Sequence, residues 1–212
     1  MRYKVALAIE KTYLFTIEVT KKNMKNGKIH ADTNIYLVRH GEAANSWAEA
    51  LDSPLSELGN QQAKAVSGCF GETPLSIVSS PMLRAKQTAA PLSQIWNVSV
   101  EIDDCFIEIP SDSEERDRKK WLQQIFKQKW NMVNSQIWDW REKAFEALLR
   151  KKSDTIIFTH FMLINAVISK IEKTEQLVFF SPDNASITHL KVTNKRTMKI
   201  VKLGQEKKTV VN

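Results

Sequence analysis

The sequence has 212 residues, 42% of them hydrophobic, which suffices for one well-buried domain with an added hairpin or lid and falls short of two. Its net charge of +7 sits at the ends: residues 1–34 carry seven Lys or Arg against three acids, residues 191–212 seven against one, and residues 35–190 come to −3. That distribution argues against a nucleic-acid-binding face on the core. No apolar run approaches the roughly 20 residues of a membrane span, Met1 to Ile9 meets Glu10-Lys11 with no small-residue cleavage site, and Cys69 and Cys105 stand far apart without metal-ligand spacing. These features suit a reducing cytoplasm and give no disulfide framework.

Residues 3–19 alternate, with Tyr3, Val5, Leu7 and Ile9 and then Tyr13, Phe15, Ile17 and Val19, the pattern of a two-strand hairpin; Lys21 to Asn34 reads as a polar linker. Residues 1–34 thus form an extension. Ile35-Tyr36-Leu37-Val38 predicts a strand buried on both faces, and at its carboxyl end, where open α/β sheets bind ligands, stand Arg39, His40 and Gly41. Arg39 offers a planar fork of donors suited to phosphate. His40 is a nitrogen nucleophile that adjacent cations keep neutral, and Gly41 lets the backbone approach a ligand closely. Ala43 to Asp52 reads as a loop over this end, with Asn45 and Ser46 as candidate contacts to phosphate or substrate hydroxyls. Ser56-Glu57 opens a helix in which Leu55, Leu58, Ala63, Val66 and Phe70 fall near helical spacing, ending by Gly71.

Leu75 to Val78 predicts the second core strand, followed by a helix with Ser80 as N-cap and Pro81 as its first residue. Arg84 in the first turn would add its charge to free backbone donors, a sound anion site, and Lys86 reads as a surface residue. After the short strand Val98 to Ile102 the candidate acid–base carboxylates are Glu108, between Ile107 and Ile109, which would raise its pKa by desolvation, and its rivals Asp103 and Asp104 in a paired-acid turn.

Residues 111–152 begin as a charged run and then predict two helices, one carrying Trp121, Leu122, Ile125 and Phe126, the other Ile137, Trp140, Ala144, Phe145 and Leu148. Trp121, Trp130, Trp138 and Trp140 fall here; buried packing accounts for them better than a lid or a dimer face, and a homodimer stays open. Thr155 to Thr159 is another apolar strand ending in a histidine, His160, and neighbouring parallel strands would bring both imidazoles to one end of the sheet. Met162 to Ile171 continues as a helix, Ile187 to Val192 and Met198 to Leu203 as strands, with His189 structural, Asn184 and Ala185 near a pocket rim, and residues 205–212 as a solvated basic tail.

Leu37-Val38-Arg39-His40-Gly41-Glu42-Ala43, then Asp52-Ser53-Pro54-Leu55-Ser56-Glu57-Leu58-Gly59-Asn60-Gln61-Gln62-Ala63, then Ser79-Ser80-Pro81-Met82-Leu83-Arg84-Ala85-Lys86-Gln87-Thr88-Ala89, resemble in order and spacing the histidine phosphatase superfamily, phosphoglycerate mutase-like. The resemblance spans about residues 35–190. It implies a three-layer α/β/α sandwich with a mostly parallel central sheet, a catalytic domain over 35–204 with a helical insertion at about 111–152, and phosphoryl transfer through a covalent phosphohistidine with no metal or other cofactor. It further implies His40 as nucleophile, Arg39, Arg84 and His160 as ligands of the phosphoryl oxygens, and Glu108 as acid/base. Ile107 departs from a frequent arginine and Phe161 from a frequent glycine, the latter marking a His-Phe subgroup with a narrower pocket. The activity implied is hydrolysis of a phosphomonoester, with a small phosphorylated substrate or a phosphoprotein as partner and no membrane. Mutase-type transfer is one rival. The other is a catalytically idle scaffold, against which Arg39, His40, Arg84, Glu108 and His160 all count. Substrate choice is expected to lie in residues 43–53 and 111–152.

Overall fold

The computed structural model describes residues 31–45, 50, 52–111 and 118–207. The expected hairpin over residues 3–19, most of the linker after it, and Ser46 lie outside the described residues. Among the described residues six strands form one sheet: β1 (Thr33–Arg39), β2 (Ser76–Ser79), β3 (Val100–Ile102), β4 (Thr155–Thr159), β5 (Ile187–Val192) and β6 (Met198–Lys202), in the order β3-β2-β4-β1-β5-β6. The four strands from β3 to β1 are parallel, and β5 and β6 add antiparallel at one edge. The described residues also form the α-helices α1 (Glu57–Ser67), α2 (Leu83–Trp96), α3 (Arg118–Ile125), α4 (Ser135–Leu149) and α5 (Phe161–Glu172).

The alternation of strand side chains sorts the helices into two layers. Ile35 and Leu37 of β1, Val78 of β2 and Ile157 of β4 share one core with Ile137, Trp140, Ala144 and Leu148 of α4 and Leu163, Ile164 and Val167 of α5. Val38, Ile77, Ile156 and Phe158, one position along, share the other with Val66 of α1 and Ala85, Ala89 and Leu92 of α2. Both faces of the central strands β1 and β4 are therefore covered, which is why these two read as largely apolar runs. This is the expected three-layer α/β/α sandwich.

Helix ends follow the sequence at α1, where the Ser56 hydroxyl accepts from Gly59 N–H at 3.0 Å, and depart from it at α2. Ser80 and Pro81 do not open α2; its N-cap is Met82, without a side-chain cap bond of its own. The cap comes from elsewhere, since Asp52 Oδ1 accepts the Leu83 N–H at 2.6 Å. Ser80 is thereby left for another partner, described below. In the region from 118 to 149, Trp140 and Trp130 are buried and bonded, Trp140 Nε1 donating to Ile107 O at 3.1 Å and Trp130 Nε1 to Ser169 Oγ at 2.8 Å. Trp138 is instead 42% exposed, and its ring and that of Trp130, which meet edge to face, both lie against the Arg141 guanidinium, at 4.0 and 4.1 Å.

The loop after β1 packs backbone to backbone on the start of α1. A Cβ on Gly41 would stand 2.5 Å from the Gly59 carbonyl oxygen, and one on Gly59 would collide with the carbonyl oxygen of Glu42. Glu42 O also accepts from Ser56 N–H (2.9 Å), and Glu42 N–H donates to Gln62 Oε1 (2.7 Å), so neither side can retreat freely. Gly59→Ala is expected to destabilise the fold by about 2 kcal/mol through overpacking. Denaturant unfolding measures this, and an unchanged midpoint would contradict the close-approach account.

Candidate active site

Lateral register places the functional side chains. Arg39 pairs with Thr159 across β1 and β4, and Ser79 with Phe158 across β2 and β4. The next residue of each outer strand extends the ladder by one bond, His40 N–H to Thr159 O (2.9 Å) and Ser80 N–H to Phe158 O (2.9 Å). Ser80, His160 and His40 therefore leave the sheet side by side at the carboxyl ends of three parallel strands, the place where open α/β sheets bind ligands.

The hydrogen bonds assign both imidazoles. His40 Nδ1 lies 2.7 Å from Gly41 O, which can only accept, so Nδ1 carries the proton. Its Nε2 keeps a lone pair and accepts from Arg84 Nε at 3.1 Å. Burial first, then the charges of Arg84 and Arg39, pull the His40 pKa down to about 3 against the Gly41 bond, so the ring is neutral over the ordinary pH range. His160 packs beside it, ring centroids 5.2 Å apart, and is wholly buried. Ser80 Oγ accepts from Met82 N–H (3.3 Å) and lies 2.7 Å from His160 Nε2, the acceptor available for its proton among the described residues. His160 is thus protonated at Nδ1, and that buried atom has no partner among the described residues. Burial, aided by His40 and the two arginines, holds its pKa well below the usual value.

Arg39 is fixed by Nη1 donating to Pro182 O (2.8 Å) and by the Phe161 ring, 5.2 Å from its guanidinium carbon, while its buried Nε also lacks a partner among the described residues. Glu108 caps the start of α5: its Oε1 accepts from Met162 N–H (3.1 Å) and from Ile109 N–H (2.9 Å). Burial raises its pKa above the ordinary carboxylate value, opposed by the Ile109 N–H, Arg84, Arg39 and the Met162 N–H. Asp103 and Asp104 take no part; Asp103 caps the turn Asp104–Phe106 by accepting from Cys105 N–H (2.9 Å) and faces Lys151.

Arg39, His40, Arg84, Glu108 and Asn45 line one cavity of about 440 Å³, and Asn184 lines it too. His160 is not among the lining residues; it is wholly buried beside His40 at the end of β4. Ala185, left-handed at φ 55°, supports the floor, its N–H and Asn184 Nδ2 both donating to His40 O (3.3 and 3.2 Å). The cavity also takes in Leu122 and Phe126 from the α3 region, Phe161 and Met162 from α5, and Lys207. Lys207 belongs to the stretch expected as a solvated tail. Instead, Gln205 to Lys207 pair with Ser181 to Asp183, through Asp183 N–H to Gln205 O (2.7 Å) and Lys207 N–H to Ser181 O (2.9 Å). Asp52, Ser80 and Lys207 were not identifiable as parts of the site from sequence, because each acts through a partner distant in the chain.

A buried histidine at a strand end thus stands beside arginines from two elements, and the chain belongs to the histidine phosphatase superfamily: the profile of its branch 1 matches residues 35–205. Among similar proteins is an uncharacterized protein of Mycobacterium tuberculosis, Rv0525, 31% identical over 107 residues that cover 43% of this chain and 53% of that one. The chain spans about half the length of the curated relatives it matches. Solved structures of like fold include mycobacterial glucosyl-3-phosphoglycerate phosphatase (TM-score 0.66, 18% identity, 82% of this chain and 100% of that one). Phosphoserine phosphatase of Entamoeba histolytica, in complex with 3-phosphoglyceric acid, is another (TM-score 0.65, 21% identity, 82% and 97%). Among the described residues no helix is long and apolar enough to cross a membrane.

Ser80→Ala removes the donor to His160 Nε2 and the acceptor of Met82 N–H. A cost of about 1–3 kcal/mol in stability is expected, together with a shift of the His160 proton from Nδ1 toward Nε2, read from imidazole ¹⁵N chemical shifts. An unmoved tautomer would show that Ser80 does not set it.

Proposed function

We propose that this protein hydrolyses a phosphomonoester through a covalent phosphohistidine on His40. The observation that carries the reading is the bonding of His40: Nδ1–H is spent on Gly41 O, and the Nε2 lone pair, held by Arg84, belongs to a neutral ring in a cavity. Nε2 attacks phosphorus as the ester P–O bond breaks, and protonated Glu108 gives its proton to the departing alkoxide. Glu108, now a carboxylate, takes a proton from water, whose oxygen attacks phosphorus, breaks the P–N bond and frees inorganic phosphate. Arg39 and Arg84 neutralise the equatorial oxygens, with the unpartnered N–H groups of Arg39 and His160 as further donors. The relatives named for phosphoglycerate-type and phosphoserine substrates support the reaction class; the substrate is not carried over from them.

His40→Ala is expected to abolish phosphate release and the acid-labile, alkali-stable phosphoenzyme trapped from labelled substrate; normal turnover in this variant would sink the nucleophile assignment. The pH profile follows from the two shifts. His40, lowered to about 3, is neutral throughout ordinary assay conditions, whereas Glu108, raised, keeps its proton further up the scale than a free carboxyl and loses it as pH rises through its own pKa. For alkyl phosphates kcat/KM should therefore decline on the alkaline side. Glu108→Gln should remove that limb and lower the rate about 10²–10⁴-fold, less for esters with good leaving groups; an identical profile in the variant would reassign the acid. Chelation with EDTA is expected to leave turnover unchanged, and loss reversed by a divalent cation would contradict a mechanism whose positive charge comes from arginine.

A further inference from the structure

Phe126 is the part of the cavity wall that the phosphoryl chemistry does not use. It follows directly on α3, its N–H still bonded to Leu122 O at 3.1 Å, and lines the cavity together with Leu122 while remaining 45% exposed. Ile125, beside it, is buried in the core and anchors this end of α3, so the two apolar side chains are held at the cavity. Phe126 meets Phe161 with ring centroids 5.7 Å apart, and Phe161 in turn lies over Arg39 at 5.2 Å. A continuous aromatic path thus leads from solvent to a guanidinium that faces the phosphoryl position.

Such a surface has a chemical preference. A phenyl ring left to water at the mouth of a concave site costs free energy in proportion to its apolar area, and a ligand that covers it recovers that cost. Hydroxyl groups laid against the same wall would shed water without gaining a hydrogen bond. Beside this apolar wall the lining's polar groups are Asn184 and Asn45, whose Nδ2 atoms are committed to His40 O at 3.2 Å and Ser53 Oγ at 3.4 Å, together with Glu42, Ser181 and Lys207. Resting on the phosphatase reading above, we infer that the alcohol half of the substrate carries an aromatic or branched apolar group that packs on Phe126 and Phe161, and that Phe126 is a specificity-determining residue. The substrate class is an apolar phosphomonoester and not a sugar phosphate.

The test compares benzyl phosphate with glucose 6-phosphate, both dianionic esters of primary alcohols, so that leaving-group basicity does not decide the outcome. The expected kcat/KM is at least about tenfold higher for the benzyl ester. Phe126→Ala, a change at an exposed position, should reduce that ratio about tenfold. Benzylphosphonate should inhibit at lower concentration than methylphosphonate, an advantage the variant loses. A sugar ester turned over as well as the benzyl ester, or a ratio that Phe126→Ala leaves unmoved, would overturn the inference while phosphate release upheld the phosphatase reading. Release from neither ester by folded protein would bring down both.

Discussion

Because β2, β4 and β1 run parallel with Ser79 opposite Phe158 and Arg39 opposite Thr159, the residues that follow in each strand emerge level with one another. The same register decides the core. A slip of β1 by one residue would carry Ile35 and Leu37 from the side of α4 and α5 to that of α1 and α2, and would move His40 away from His160 and Ser80. Packing thus enforces the geometry of the site: the apolar alternation that makes the sandwich stable also holds two imidazoles at one end of it.

Electrostatics then separates their roles. Both rings are neutral for the same main cause, burial, reinforced by Arg39 and Arg84, yet they present opposite faces to chemistry. His40 is locked as a lone-pair donor by Gly41 O, and His160 as an N–H donor by Ser80. Glu108 is pushed the other way by burial, toward its protonated form. A base-like nitrogen and an acid-like carboxyl in one cavity are what acid–base chemistry at neutral pH requires, since each environment displaces its group away from its state in water.

Much of this was legible in the chain. Ile35 to Val38 and Thr155 to Thr159 announce buried parallel strands, and a histidine after each predicts their convergence; Arg84 and Glu108 were picked out by the family resemblance, with apolar neighbours marking Glu108 as well. What sequence could not carry was anything decided between distant segments. Ser80 before Pro81 has the local signature of an N-cap, but its hydroxyl is used by His160, and the capping of α2 passes to Asp52, thirty-one positions earlier. Trp138 and Trp130 look alike in the sequence, and only the fold shows Trp130 buried with its Nε1 on Ser169 Oγ while Trp138, also against Arg141, stays partly open. Lys207 reads as one more tail lysine until the backbone around it pairs with Ser181 to Asp183, the segment whose Pro182 carbonyl holds Arg39.

The strand order also has a consequence for how the molecule comes into being. β1 lies between β4 and β5, yet among the described strands it comes first in the chain, with more than a hundred residues separating Arg39 from Thr155. During translation its four consecutive apolar residues wait for these two neighbours until nearly the whole domain has emerged. Pairings of such long sequence separation close slowly, because loop entropy is lost before the contacts compensate for it. The strand that will present His40 lacks those two partners for most of that time, the kind of segment on which nascent chains associate with one another and which chaperones shield.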